Sequence, residues 1–252
     1  MTIDRPLPEQ IPQLRSLWQE AFGDTDVFLD IFFHRAFSAD RCRCITAEGS
    51  VVAALYWFDC QWQEQPLAYI YAVATAKSHR GQGLCQKLME DTHRTLQRLG
   101  YGGSILAPQS AGLFSMYEKF GYQTCSYIQE FSCAAGKDPL PLTAATPQEY
   151  ADTRRRLLPE NSVLQEGITL DFLSTYARLY AGPDFALAAY PNEGKLVVCE
   201  LLGAPQQAPQ ILAALGYAEG TFRTPGHGRP FTMYKPFSSS SSTPSYFGLI
   251  LD

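Results

Sequence analysis

The chemistry in this sequence concentrates in one run, Arg80-Gly81-Gln82-Gly83-Leu84-Cys85. It follows an apolar stretch, residues 67–75 (LAYIYAVAT), that predicts a strand, and it opens a helix expected from about Gly81 to Leu99, ended by Gly100. Glycines let a backbone approach a ligand closely and take conformations denied to other residues. The free N–H groups of a helix's first turn, with the helix dipole, favour a pyrophosphate, and Arg80 adds charge from the side. No Gly-Lys-Ser/Thr follows, so the run is not a P-loop. It lacks the third glycine of a dinucleotide fingerprint, and the strand order before it is wrong for one. Glycines also serve ordinary strand-turn-helix connections, so the turn alone leaves both readings open.

A second segment, Phe114-Ser115-Met116-Tyr117-Glu118-Lys119-Phe120-Gly121-Tyr122, lies on a later helix. Together the two resemble the R-G-x-G-x-[G/A] coenzyme-A signature and the late Tyr-Glu-Lys-x-Gly-[Phe/Tyr] helix of the GCN5-related N-acetyltransferases (GNAT). The resemblance covers about residues 1–133 and departs at Cys85, where the family has Gly or Ala. It implies a GNAT fold: a mixed, mostly antiparallel α/β sheet flanked by helices. It also implies acetyl-CoA as co-substrate. The backbone of Tyr71, Ala72, Val73 and Ala74 would pair with the pantetheine arm, and the amides of Arg80, Gly81, Gln82, Gly83, Leu84 and Cys85 would hold the pyrophosphate. Residues 104–107 would splay from the neighbouring strand to admit the acetyl group.

An amine attacking a thioester needs a proton acceptor for itself and a donor for the leaving thiolate. The resemblance assigns the donor to Tyr117; the other reading is that Tyr117 only packs an aromatic-rich helix. The base is open. Glu64 lies in a hairpin turn, Tyr69 and Tyr71 share a strand face that could hold a water, and His79 faces phosphate or solvent. His34 and His93 are expected on helices, partly solvated. The chain also resembles the tandem folds of the larger enhanced-intracellular-survival acetyltransferases, without their sterol-carrier-like domain. In that group the chain end enters the active site of the first fold. Asp252, with two carboxylates at the end of Tyr246-Phe247-Gly248-Leu249-Ile250-Leu251-Asp252, would then accept the amine proton; the alternative is a docked edge strand with an exposed end. Rival functions are a non-catalytic acetyl-CoA sensor and an acyltransferase using another acyl-CoA.

These residues must be positioned by the elements around them. The patterning predicts helices over 7–22 and from Asp26 to about 37, strands over 42–48, 51–60 and 67–75, the helix after the glycine turn, a strand at 102–107, a helix capped by Ser110 and a strand over 122–133. A mixed sheet with helices on both faces follows. Residues 134–147 read as a linker. Beyond it come helices near 147–158, 169–180 and 205–215 and strands near 184–190, 195–201, 217–224 and 230–235. Residues 224–230 read as a hairpin loop and Arg154-Arg155-Arg156 as a solvated helix face, since three consecutive residues cannot point one way. The organisation expected is a coenzyme-binding domain, 1–135; a degenerate GNAT-like domain without a glycine signature, 136–237; and a serine tether with a terminal strand docking toward the first domain, 238–252.

Composition bounds the partners. Twenty basic and 25 acidic residues give a net charge of -5, against a nucleic-acid partner. The amino terminus carries charges where a signal peptide is apolar, and no apolar run could span a membrane. Seven cysteines without a C-x-x-C pair read as reduced thiols, and no metal site is expected. A cytoplasmic protein acting on an amine acceptor is the expectation, with homo-oligomerisation left open.

Overall fold

The computed structural model describes residues 1–238 and 242–251. Residues 239–241, within the expected serine tether, and Asp252, the expected proton acceptor, lie outside the described residues. The chain divides into two units. The first comprises Met1–Cys60, Glu64–Gln123 and the segment beginning at Tyr234; the second comprises Gln61–Gln63, Thr124–Met233 and the segment beginning at Ser242.

The first unit opens with β1 (Thr2–Asp4), α1 (Ile11–Phe22) and α2 (Asp26–Arg35). Helix α1 buries Leu14, Leu17 and Trp18 along one stripe and ends at Gly23, whose φ of 77° reverses the chain as few other residues can. Helix α2 is capped by Thr25, whose hydroxyl accepts from the Phe28 N–H at 3.2 Å, and not by Asp26, which is already its first turn. Trp18 meets Phe32 with ring centroids 4.6 Å apart, joining the two helices. β2 (Cys42–Ala47), β3 (Ser50–Trp62), β4 (Gln65–Thr75), α3 (Leu84–Arg98), β5 (Gly103–Leu106) and α4 (Ala111–Lys119) follow. The strand order is β1-β2-β3-β4-β5, antiparallel at β1–β2 and β2–β3. Strand β5 runs parallel to β4 because α3 carries the chain across between them. Val51 through Phe58 of β3 are all buried, as a strand covered on both faces requires.

The second unit contains β6 (Gln123–Ala134), α5 (Pro147–Leu157), α6 (Ile168–Leu173), β7 (Arg178–Ala181), β8 (Phe185–Asn192), β9 (Lys195–Gly203), α7 (Ala208–Leu215), β10 (Glu219–Pro225) and β11 (Arg229–Pro236), the last passing to the first unit at Tyr234. Its order is β11-β6-β10-β9-β8-β7. β10 is antiparallel to β6 and parallel to β9. Helix α5 has a reciprocal cap, Thr146 with Glu149, and Pro147 in its first turn. Leu187, Val198, Ile211, Leu212 and Phe222 form the centre of this unit's core.

Four expectations are corrected here. The helix expected over 169–180 stops at Leu173, and Arg178–Ala181 pairs with Ala186–Ala189, so strand pairing overrides helical spacing. Arg154 does not lie on a solvated face: its side chain is 2% exposed and ion-pairs with Glu200, itself fully buried. The terminal segment 242–251 is not a strand. It is irregular, with one isolated bridge from Ser162 to Tyr246, although Tyr246, Phe247, Leu249, Ile250 and Leu251 are all buried. The hairpin loop expected over 224–230 is not one: residues 226–228 join β10 to β11, but β6 lies between those two strands in the sheet, so the connection crosses over β6. None of the seven cysteines is joined in a disulfide. Among the described residues no helix is long and apolar enough to cross a membrane.

Candidate active site

β4 and β5 pair at Leu67–Gly103, Ala68–Ser104 and Tyr69–Ile105, and there the pairing ends while β4 runs on to Thr75. Tyr71, Ala72, Val73 and Ala74 all lie on this extension. Ala72 has a φ of 48°, in the left-handed region that costs an alanine roughly 1–2 kcal/mol. The strand is therefore kinked beyond the last paired residue, and the sequence gives no sign of it, since alanine is no marker of a bulge.

A short 3₁₀ turn, Lys77–His79, leads to the glycine run. Arg80 donates from Nε to the Thr75 carbonyl at 3.1 Å, which lays its guanidinium across the end of β4. Gly81 and Gly83 have φ of 76° and 72°, so both glycines are required by backbone conformation; a Cβ on either would meet nothing within 4 Å. Gly83 caps α3 without any side-chain bond. The first intrahelical bond runs from the Lys87 N–H to the Gly83 carbonyl, 3.1 Å, which leaves the N–H groups of Leu84, Cys85 and Gln86 ahead of it. Such a turn can hold an anionic group on uncapped amides.

Tyr117 lies on α4, started by the Ser110 hydroxyl accepting from the Leu113 N–H. Its ring is buried against Phe120 and Tyr122, centroids 5.9 and 5.7 Å away. Its hydroxyl makes no hydrogen bond among the described residues. Burial, and then the nearby Cys85 sulfur, push its pKa well above the usual tyrosine value, so the phenol stays protonated and stands as a donor. Burial likewise pushes the Cys85 thiol up to about 11, which makes it inert at neutral pH.

Beneath Tyr117 is a buried polar chain that sequence reasoning did not find. The Tyr122 hydroxyl is 2.9 Å from His93 Nε2 and 2.6 Å from Ser104 Oγ on β5. His93, expected to be partly solvated, is 6% exposed. Burial, with the positive Lys235 nearby, lowers it to about 3, so it is neutral. The signal was present: His93 belongs to the inward stripe Leu84, Leu88, Met89, Thr92, His93 and Leu96. Of the other candidate bases, Glu64 is exposed, His34 bonds the Asp30 carbonyl of its own helix at 2.7 Å, and His79 bonds Ser78 Oγ at 2.9 Å. The first unit thus carries Tyr71–Ala74, Arg80–Cys85 and Tyr117.

Residues 2–125 match a family model described as an acetyltransferase (GNAT) domain. Among solved structures, a GCN5-related N-acetyltransferase from Kribbella flavida is similar at 16% identity and a TM-score of 0.70, over 93% of this chain and 71% of that one. One from Anabaena variabilis matches at 16% identity and 0.69, over 92% and 72%. Eis1 from Mycobacterium abscessus matches at 13% identity and 0.63, over 94% and 74%. No curated protein matches by sequence. At such identities these structures speak to fold alone. They show that this chain has the GNAT fold, and its residues 2–125 are similar to a GNAT acetyltransferase domain.

Proposed function

We propose that the chain transfers an acetyl group from acetyl-CoA to a primary amine of a small molecule or peptide, by direct attack of the amine on the thioester. The observation that carries this is the uncapped start of α3 behind Gly81 and Gly83, next to a β4 that outruns its partner strand. The amides of Arg80–Cys85 receive the pyrophosphate, and the backbone of Tyr71–Ala74 receives the pantetheine arm. The amine nitrogen forms a bond to the carbonyl carbon, the C–S bond breaks, and the sulfur leaves as a thiolate. Tyr117, kept protonated by burial, donates a hydrogen bond to that thiolate and a proton as it departs. The amine's surplus proton goes to the carboxylate of Asp252. Residues 136–237 act as a second, degenerate GNAT-like domain, in a tandem arrangement like that of the enhanced-intracellular-survival acetyltransferases.

Thermal unfolding with and without acetyl-CoA tests the coenzyme site. At 100 times its dissociation constant the coenzyme should stabilise the wild type by about 2.7 kcal/mol. Arg80→Ala combined with Gly83→Glu should abolish the shift. A wild type that does not shift at millimolar acetyl-CoA refutes the reading.

A further inference from the structure

Tyr117 is the third residue from the end of α4, and the way that helix ends ties it to Tyr122. Gly121, with a φ of 86°, turns the chain in the left-handed conformation. Two backbone bonds then close the end. The Gly121 N–H donates to the Glu118 carbonyl at 2.9 Å, and the Tyr122 N–H donates to the Tyr117 carbonyl at 3.1 Å. This is a Schellman ending, in which the second residue past the cap packs on the third residue before it. Those two residues are Tyr122 and Tyr117, whose rings meet edge to face with centroids 5.7 Å apart and planes at 68°. The Lys235 ammonium donates to the Phe120 carbonyl, a cation where the helix dipole is negative.

Tyr122 is itself held at its far end. It is 1% exposed, and its hydroxyl lies 2.6 Å from Ser104 Oγ on β5 and 2.9 Å from His93 Nε2 on α3. Ser104 pairs with Ala68, one residue before Tyr69–Ile105, the last pair of β4 and β5. A phenylalanine would fill the same space, but apolar burial has no direction and would not aim the ring. A buried hydroxyl is costly unless it is bonded. Bonded on both sides, it fixes the direction of the ring as well as its depth. One oxygen therefore joins α3, β5 and the end of α4, and the backbone bond from Tyr122 passes that position on to Tyr117. All of these residues belong to the first unit.

We infer that Tyr122 is a positioning residue: anchored through its hydroxyl by His93 and Ser104, it fixes where α4 ends and so where the Tyr117 phenol stands relative to α3 and β5. The functional half of this rests on Tyr117 being the proton donor proposed above.

The test is Tyr122→Phe in the full chain, which keeps the ring and the backbone and removes only the anchoring oxygen. Two readouts are taken. Amide hydrogen exchange at positions 121 and 122, which reports the bonds to Glu118 and Tyr117, should quicken roughly tenfold, the scale of one lost hydrogen bond. The amides of Leu14 and Leu17 on α1 should keep their rates. The kcat should fall roughly 100-fold, the scale of a small misplacement of a reacting group, with KM for acetyl-CoA and the coenzyme thermal shift unchanged. In a Tyr117→Phe background, Tyr122→Phe should lower kcat no further, because it acts through that phenol. Exchange as slow as in the wild type, or quickened equally at Leu14 and Leu17, overturns the anchor. A second 100-fold fall in the Tyr117→Phe background overturns the inference as well. Local quickening with an unchanged kcat leaves the anchor standing and overturns the reading of Tyr117 as proton donor instead. If Tyr122→Phe does not fold, Ser104→Ala, which removes one of the two partners of that oxygen, carries the same readouts.

Discussion

His93 Nε2 and the Tyr122 hydroxyl lie 2.9 Å apart, a buried hydrogen bond that ties the inner face of α3 to the residue preceding β6. The bond has a consequence for acid stability. His93 is held down to about 3 from an ordinary 6.5, first by burial and then by Lys235. Below pH 6.5 the unfolded chain takes up a proton that the folded chain refuses until about pH 3, so this group's stabilisation is present above 6.5 and lost progressively as pH falls. The loss approaches about 1.4 kcal/mol per pH unit. Urea midpoints between pH 7 and pH 4 should therefore drop more steeply for the wild type than for His93→Gln, which cannot titrate. Equal slopes would sink the assignment of His93 as a buried neutral imidazole.

Tyr117 separates an enzyme from a coenzyme sensor. Its ring packs as any core aromatic does, but its hydroxyl makes no hydrogen bond among the described residues, which a purely structural tyrosine gains nothing from. Tyr117→Phe should lower kcat by about 10²- to 10⁴-fold and leave the acetyl-CoA thermal shift intact. Because burial raises this phenol, no loss of activity from its ionisation should appear between pH 6 and pH 9. A kcat within twofold of the wild type would return Tyr117 to a packing role.

The Arg154–Glu200 pair predicts a marked non-additivity. Arg154→Met alone strands a fully buried carboxylate and should cost about 3–5 kcal/mol of stability. Arg154→Met with Glu200→Leu removes both charges, and should cost well under the sum of the two single substitutions. Urea denaturation of the four chains gives the coupling energy. Simple addition would show that the two side chains do not depend on each other.

The sequence was most legible where local chemistry decides local structure. Ser110 and Thr146 each cap the helix that begins after them, Gly23 ends α1, and Gly81 and Gly83 take the left-handed conformations for which glycine is suited. It was least legible where a partner is far along the chain. Nothing around Arg154 announces Glu200, and three arginines in a row look solvated until one turns inward to a carboxylate 46 positions away. The same holds for Tyr246–Leu251, whose apolar run reads as a strand because the pairing amide belongs to Gln165, 84 positions from Leu249. At the site, the loop and the helix were readable from their residues, whereas the kink at Ala72 and the chain Ser104–Tyr122–His93 were not. Those depend on how β4, β5 and α3 meet.

The left-handed φ of Ala72 is part of the folded backbone of β4. A bend that belongs to the fold is a cost set against the stability of the chain and not against whatever docks along that strand. Contacts made there then keep free energy that a strand bending on contact would have to spend on its own rearrangement.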